Sequence, residues 1–304
     1  MLIGENLHII SAKTKEAIAK RDSDFVLKNV KKQVENGVKT IDLNIGPAKA
    51  EIQGAMEWLI KLIQANFDVN FSLDTTNIEE IKTGFSLLKK PCKGFLNSTS
   101  ADFEKLDATT DIVANYNANL IALTMNKDGI PKTADERMEL AFNIIETANS
   151  KNIDNSKIYV DPLILPINVA QEQALVALEA IRMLKESFDP SVKTIVGLSN
   201  ISNGSPRELR ALINRVFLVL ALGCGLDCAI IDAFDKETIR VYNNIKSQKS
   251  ENTADELFLN LFNTMQNFGD LDDVQYDKND IKQYSIYRCA QILLNKEIYS
   301  HSFI

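Results

Sequence analysis

Glu5, Asn6, Asp42, Asn44, Asp74, Asn97, Asn126, Asp161, Asn200 and Asp232 are all carboxylates or amides, and each stands at or near the end of a short apolar run. No run ends directly in Lys, Arg or His. At any single position, an Asp or Asn after a strand is explained by turn formation or helix capping. The same chemistry after every run asks for a shared reason. A ring of carboxylates and amides is a poor phosphate or carboxylate site. It suits a ligand with N–H donors beside carbonyl acceptors, because carboxylates only accept whereas amides do both. A fused heterocycle such as a pterin or a purine has that edge. An Asp can take two of its N–H groups at once, and those bonds favour the ionised carboxylate.

A divalent metal is the rival. Mg²⁺ wants charged oxygen ligands on neighbouring strand ends, and the third to fifth runs offer Asp74, Asn97 and Asn126, of which one is charged. The chain has 2 histidines, His8 and His301, neither at ligand spacing, which disfavours zinc. Lys127 reads as a solvated loop charge rather than a Schiff-base lysine, and there is no G-x-S-x-G elbow for acyl transfer. A heterocycle site ranks first, and no intrinsic metal is expected.

The elements that would position these residues follow from periodicity. Candidate strands are residues 2–6, 40–46, 70–76, 93–99, 119–126, 157–164, 193–200 and 228–233. Helical patterns lie between them at 24–37, 55–67, 77–90, 133–149, 168–187 and 207–223. Eight strands alternating with helices predict an α/β fold, a (β/α)₈ TIM barrel, whose chemistry gathers at the C-terminal ends of the strands. A doubly wound sheet is less favoured, since GENLHII after the first strand is not a Gly-rich phosphate loop. One domain would occupy residues 1–304, with an insertion at about 240–283. That insertion is amphipathic in its middle, at Leu257, Leu261 and Met265, as one helix would be.

Composition sets the class. Of 304 residues 45% are hydrophobic and 25% charged, as in a soluble globular protein, and the net charge of −7 argues against nucleic acid as partner. The apolar run 216–226 is too short to span a bilayer, and the first residues lack a signal-peptide pattern, so no membrane is expected and the cytoplasm is. The 4 cysteines, Cys92, Cys224, Cys228 and Cys289, are expected to be reduced, with Cys224 and Cys228 simply packing.

The motifs GENLH, DLNIGPA, AMEWL, LDTTN, LNSTS, LTMNKDGIPK, VDPLILP, GLSNIS and LINRVFL, in that order from residue 1 to about 235, resemble the methyltetrahydrofolate:corrinoid protein methyltransferases. AQILLNKEIYSHSF, residues 290–303, extends the likeness. That family lies in the pterin-binding superfamily with dihydropteroate synthase and the folate domain of cobalamin-dependent methionine synthase. The resemblance implies a TIM barrel that moves a methyl group between N5 of 5-methyltetrahydrofolate and the cobalt of a corrinoid (cobalamin) carried by a separate protein. It implies that Asp74, Asn97 and Asp161 grip the pterin edge and that Asn200, beside N5, is the catalytic amide. Glu5, Asn126, Gly197, Ser199 and Ser202 join the implied pterin set. The loop after Asn200 is longer than in the family, with Asn203 where relatives carry Gln or Phe. Arg207 and Arg210 compete for the family's loop arginine. The resemblance also implies a homodimer. It leaves direction open, since the same site can return a methyl group from a methylcorrinoid to tetrahydrofolate in a demethylation pathway. Alternatives are a dihydropteroate synthase-like enzyme, disfavoured by the acidic end of CAIIDAFD, a pterin-binding subunit without chemistry, and a metal-dependent lyase.

Overall fold

Strands in which apolar side chains alternate with small or polar ones can face a barrel interior on one side and a helical layer on the other. In the computed structural model, which describes residues 1–48 and 50–303, eight such segments become β1 (Leu2–His8), β2 (Thr40–Gly46), β3 (Asn70–Thr75), β4 (Phe95–Thr99), β5 (Asn119–Leu123), β6 (Ile158–Asp161), β7 (Lys193–Gly197) and β8 (Cys228–Ile231). All pair in parallel, in sequence order, and β8 closes on β1 through the Ile3–Ile230 register. The fold is a (β/α)₈ TIM barrel.

The helices are α1 (Ala12–Ala19), α2 (Ser23–Glu35), α3 (Ala55–Asn66), α4 (Ile78–Leu87), α5 (Phe103–Tyr116), α6 (Ala134–Ser150), α7 (Glu172–Glu186), α8 (Arg207–Gly223), α9 (Lys236–Ser247), α10 (Thr253–Gln266) and α11 (Ile281–Leu293). Local signals start several of them. Asn77 accepts from the N–H groups of Glu79 and Glu80 ahead of α4, and Thr133 with Glu136 forms a capping box on α6.

Two apolar cores result. Inside the barrel, Ile3, Phe95, Ile121, Ile195 and Cys228 pack as a plug. Two residues further along their strands come Glu5, Asn97, Leu123, Gly197 and Ile230, so polar side chains enter the interior from β1 and β4 toward the C-terminal mouth, beside apolar ones from β5 and β8. The second core fills the space between barrel and helices.

Several boundaries differ from the sequence expectation. β5, β6 and β7 stop at Leu123, Asp161 and Gly197, short of Asn126, Ile164 and Asn200. Each stop has a local cause. Asn126 and Gly129 pair in a tight turn, Leu163 adopts φ 68°, and Leu198–Ser202 coils into a 3₁₀ turn. Helices α1 and α5 carry little apolar periodicity and were not expected. Cys224 caps the end of α8 while Cys228 opens β8, so the pair spans the turn between helix and strand.

The segment from residue 240 to 283 holds most of α9, all of α10 and the start of α11. Leu257 and Leu261 are buried, and α10 and α11 both pack on α8. The approach of α10 to α8 is close: a Cβ on Gly223 would lie 2.6 Å from both Met265 Cβ and Phe262 O. This cover explains why α8 is buried on all sides from Val216 to Gly223. Among the described residues no helix is long and apolar enough to cross a membrane.

Candidate active site

The strand register brings the polar residues of the mouth together. Asn44 pairs with Asp74 across β2 and β3, and Asp74 with Asn97 across β3 and β4. The Asn44 amide donates to Asp74 Oδ2, and Asn97 Nδ2 donates to Asp42 Oδ1 at 3.1 Å. Burial lifts the Asp42 carboxyl to about 6. Burial and the nearby Asp42 charge hold Asp74 well above the usual carboxylate range. Each carboxyl raises the cost of ionising the other, so the pair holds a proton more readily than either group would alone. Together, Asn44, Asp42, Asp74 and Asn97 make a patch of alternating donors and acceptors.

Across the mouth, Asp161 is 7% exposed and accepts from the Leu163 N–H at 2.8 Å. Its carboxyl is pushed up to about 7 by burial, against the pull of the Leu163 N–H and the Arg137 charge. Arg137, fully buried on α6, donates to Pro131 O at 3.1 Å, to Leu163 O at 3.0 Å and to Gln173 Oε1. It thereby grips the carbonyl of the same residue whose N–H holds Asp161.

Glu5, from β1, accepts a hydrogen bond from the Ser199 hydroxyl at 2.5 Å. Burial raises Glu5 to about 7, and the charges of Asp232 and Asp42 add to the rise. Asn6 donates to Asp232 Oδ1 at 2.6 Å and accepts from the Ala233 N–H, closing the mouth between β1 and β8.

Asn200 is exposed, not at the strand end but within the 3₁₀ turn. Its Nδ2 lies 3.0 Å from the position a Cβ would take on Gly197. The missing side chain at Gly197 therefore lets Asn200 fold back over the end of β7. Ser202, 2% exposed, spends its hydroxyl on Ser199 O at 3.4 Å inside this turn. Asn126 accepts from the Asp128 N–H at 2.9 Å, so its carbonyl serves its own loop. Asn203 and Arg207 are exposed, and Arg210 is committed through Nε to Ser205 O at 2.8 Å.

Two cations escaped the sequence reading. Lys105, in the first turn of α5, comes near enough to Asp74 for their charges to interact, while burial lowers its pKa. Arg137 had a usable signal. It sits on the α6 face that carries Ala134, Met138, Ala141 and Ile144, all buried, and a charge on that stripe needs built partners. Lys105 had none, because α5 was itself unexpected. Among the described residues, no group of three or more His, Cys, Asp or Glu side chains is arranged to hold a metal ion.

Glu5, Asp42 and Asp161 bind protons more tightly folded than unfolded. Folding takes up protons between the ordinary carboxylate range and about pH 7, so stability is greatest below that window and is lost as pH rises through it. Thermal melts of the ligand-free protein are expected to give a higher Tm at pH 5 than at pH 8. A Tm that rises over that interval contradicts the burial described for these carboxyls.

Fold and site together define a (β/α)₈ barrel with a mouth of carboxylates and amides. The model of the pterin binding enzyme family matches residues 11–232, and the chain belongs to that family. A methylcorrinoid:tetrahydrofolate methyltransferase of Eubacterium limosum is 29% identical over 239 residues, covering 78% of this chain and 86% of its own. A methionine synthase of Mycobacterium tuberculosis is also 29% identical over 244 residues, covering 77% of this chain but 20% of its own length. Among solved structures, dihydropteroate synthase from Xanthomonas albilineans in complex with 7,8-dihydropteroate superposes with a TM-score of 0.58 at 16% identity, covering 81% of this chain and 92% of its own. A dihydropteroate synthase from Coxiella burnetii, in complex with pteroic acid, gives 0.56 at 16% identity over 75% and 87%. These structural likenesses speak to the fold alone.

Proposed function

We propose that this protein transfers a methyl group between N5 of a tetrahydrofolate and the cobalt of a corrinoid carried by a separate protein, running from methylcorrinoid to tetrahydrofolate. The observation that carries this reading is the pairing of a donor–acceptor patch, Asn44, Asp42, Asp74 and Asn97, with one exposed amide, Asn200, on the opposite arc of the same mouth. The patch and Asp161 match the N–H and carbonyl groups along a pterin edge. The direction is supported by the name of the Eubacterium limosum relative.

The corrinoid supplies the methyl group on its cobalt. The N5 lone pair forms the new C–N bond, the Co–C bond breaks with its electron pair staying on the metal, and the N5 proton leaves. Asn200 serves N5 in both states, because its carbonyl accepts from N5–H and its NH₂ donates to a deprotonated N5. An aspartate could do only the first while ionised. Glu5 is tied through the Ser199 hydroxyl to the residue before Asn200, and its raised carboxyl is the proposed acceptor of the departing proton. Homodimerisation is part of the proposal. With α8 already covered by α10 and α11, two copies would pair through other surfaces.

Calorimetric titration with tetrahydrofolate tests the binding half. The wild-type protein is expected to bind, and Asp161→Ala to weaken binding by roughly tenfold or more, the cost of losing a charged hydrogen-bond partner. No binding by the wild type, or equal binding by the variant, sinks the assignment of the pterin edge.

A further inference from the structure

The stretch EIYSHSF, residues 297–303, belongs to the family-like motifs, yet nothing in the chemistry above uses it. It folds back as a strap. Gln171, just ahead of α7, donates through Nε2 to Ile292 O at 3.0 Å, to Asn295 Oδ1 at 3.2 Å and to Glu297 O at 2.5 Å. Its Oε1 accepts from the Tyr299 N–H at 2.7 Å. Arg288 pairs with Glu297 at 2.9 Å, and Phe303 is buried in the main core. The Tyr299 hydroxyl then donates to Ser205 Oγ at 2.9 Å.

Ser205 lies in the loop between β7 and α8, five positions beyond Asn200 in the sequence. That loop hangs from two buried serines, with Asn203 and Gly204 exposed between them. Ser202 closes the inner end on Ser199 O, and the Ser205 N–H returns to Ser202 O at 3.0 Å. Ser205 is held from outside by Arg210 Nε on its carbonyl and by Tyr299 on its hydroxyl. The Ile167 N–H adds a bond to Ile201 O at 2.9 Å. The 3₁₀ turn that presents Asn200 is therefore continuous, bond by bond, with the C-terminal strap.

We infer that Tyr299 is a positioning residue for Asn200, acting through Ser205 to fix the β7–α8 loop and the amide it presents. The catalytic half of this inference rests on the methyl-transfer reading; the coupling of strap to loop does not. Tyr299→Phe removes the hydroxyl bond and keeps the ring that packs beside Phe303 and His301. One such part-buried hydrogen bond has a net worth that translates to about three- to tenfold in a local opening equilibrium.

The test is amide hydrogen exchange by mass spectrometry on Tyr299→Phe and Ser205→Ala, together with kcat and tetrahydrofolate affinity. Exchange over residues 199–206 is expected to quicken about three- to tenfold in each variant, with little change elsewhere. Turnover should fall by a similar factor while the tetrahydrofolate Kd changes less than about twofold, and the double variant should be no worse than either single one. Unchanged exchange over 199–206, a rise spread evenly over the whole chain, or additive effects in the double variant overturns the inference. A wild-type protein that transfers no methyl group removes the methyl-transfer reading and the kinetic arm, and the exchange result still decides whether the strap holds the loop.

Discussion

Asn200→Ala is expected to lower kcat for methyl transfer by about 10²- to 10³-fold, the loss seen when a single preorganised donor is removed from a developing charge. Tetrahydrofolate affinity should change by less than about threefold, because the proposed grip on the pterin edge lies elsewhere, on Asp74, Asn97 and Asp161. The division follows from geometry. Asn200 is exposed on a turn beyond the strand, whereas Asp161 and Asn97 are buried within it. An interaction that tightens only as N5 changes bonding appears in turnover and not in binding. Single-turnover rates set beside calorimetric affinities would separate the two. Equal losses in both would make Asn200 a binding residue.

Arg137→Met should lower stability by about 3–5 kcal/mol, because three acceptors lose one buried donor. For a chain of this size that corresponds to a fall in Tm of roughly 6–15 °C. Methionine fills much of the volume but leaves Pro131 O, Leu163 O and Gln173 Oε1 without their buried donor. Leu163 is the sensitive partner, since its left-handed backbone aims its N–H at Asp161. Tetrahydrofolate affinity should fall together with Tm. Arg137→Lys, with one point charge in place of a fork, should recover only part of either. Differential scanning calorimetry with parallel titrations would show this. A variant as stable as the wild type contradicts the role given to Arg137.

The barrel was legible because its strands are short apolar runs punctuated by Asp and Asn, and its helices carry apolar stripes at helical spacing. Helix α5 was hidden by its threonines. Thr109 and Thr110 sit on its buried face, and each hydroxyl bonds back to a carbonyl one turn earlier, at 2.7 Å, so polar residues do the packing. With α5 went Lys105. The site's carboxylates and amides were legible by type and position, but their division of work was not. Asn126 and Ser202 spend hydrogen-bonding capacity on their own loops, and no spacing rule separates such a residue from one that faces a ligand. Asp42 and Asn44 were visible as strand-end residues. Their importance emerges only from the register that sets them beside Asp74 and Asn97. The coupling of Tyr299 to Ser205 joins positions 94 residues apart, beyond any local pattern.

The most direct measurement mixes the protein with methylcobalamin and tetrahydrofolate in the absence of oxygen and follows the visible spectrum. The methyl-transfer reading predicts loss of the methylcobalamin bands and growth of cob(I)alamin, with one equivalent of 5-methyltetrahydrofolate formed. It predicts the reverse change when 5-methyltetrahydrofolate and cob(I)alamin are supplied, and about 10²-fold or slower kinetics with Asn200→Ala. A protein that binds tetrahydrofolate tightly and leaves both spectra unchanged contradicts it.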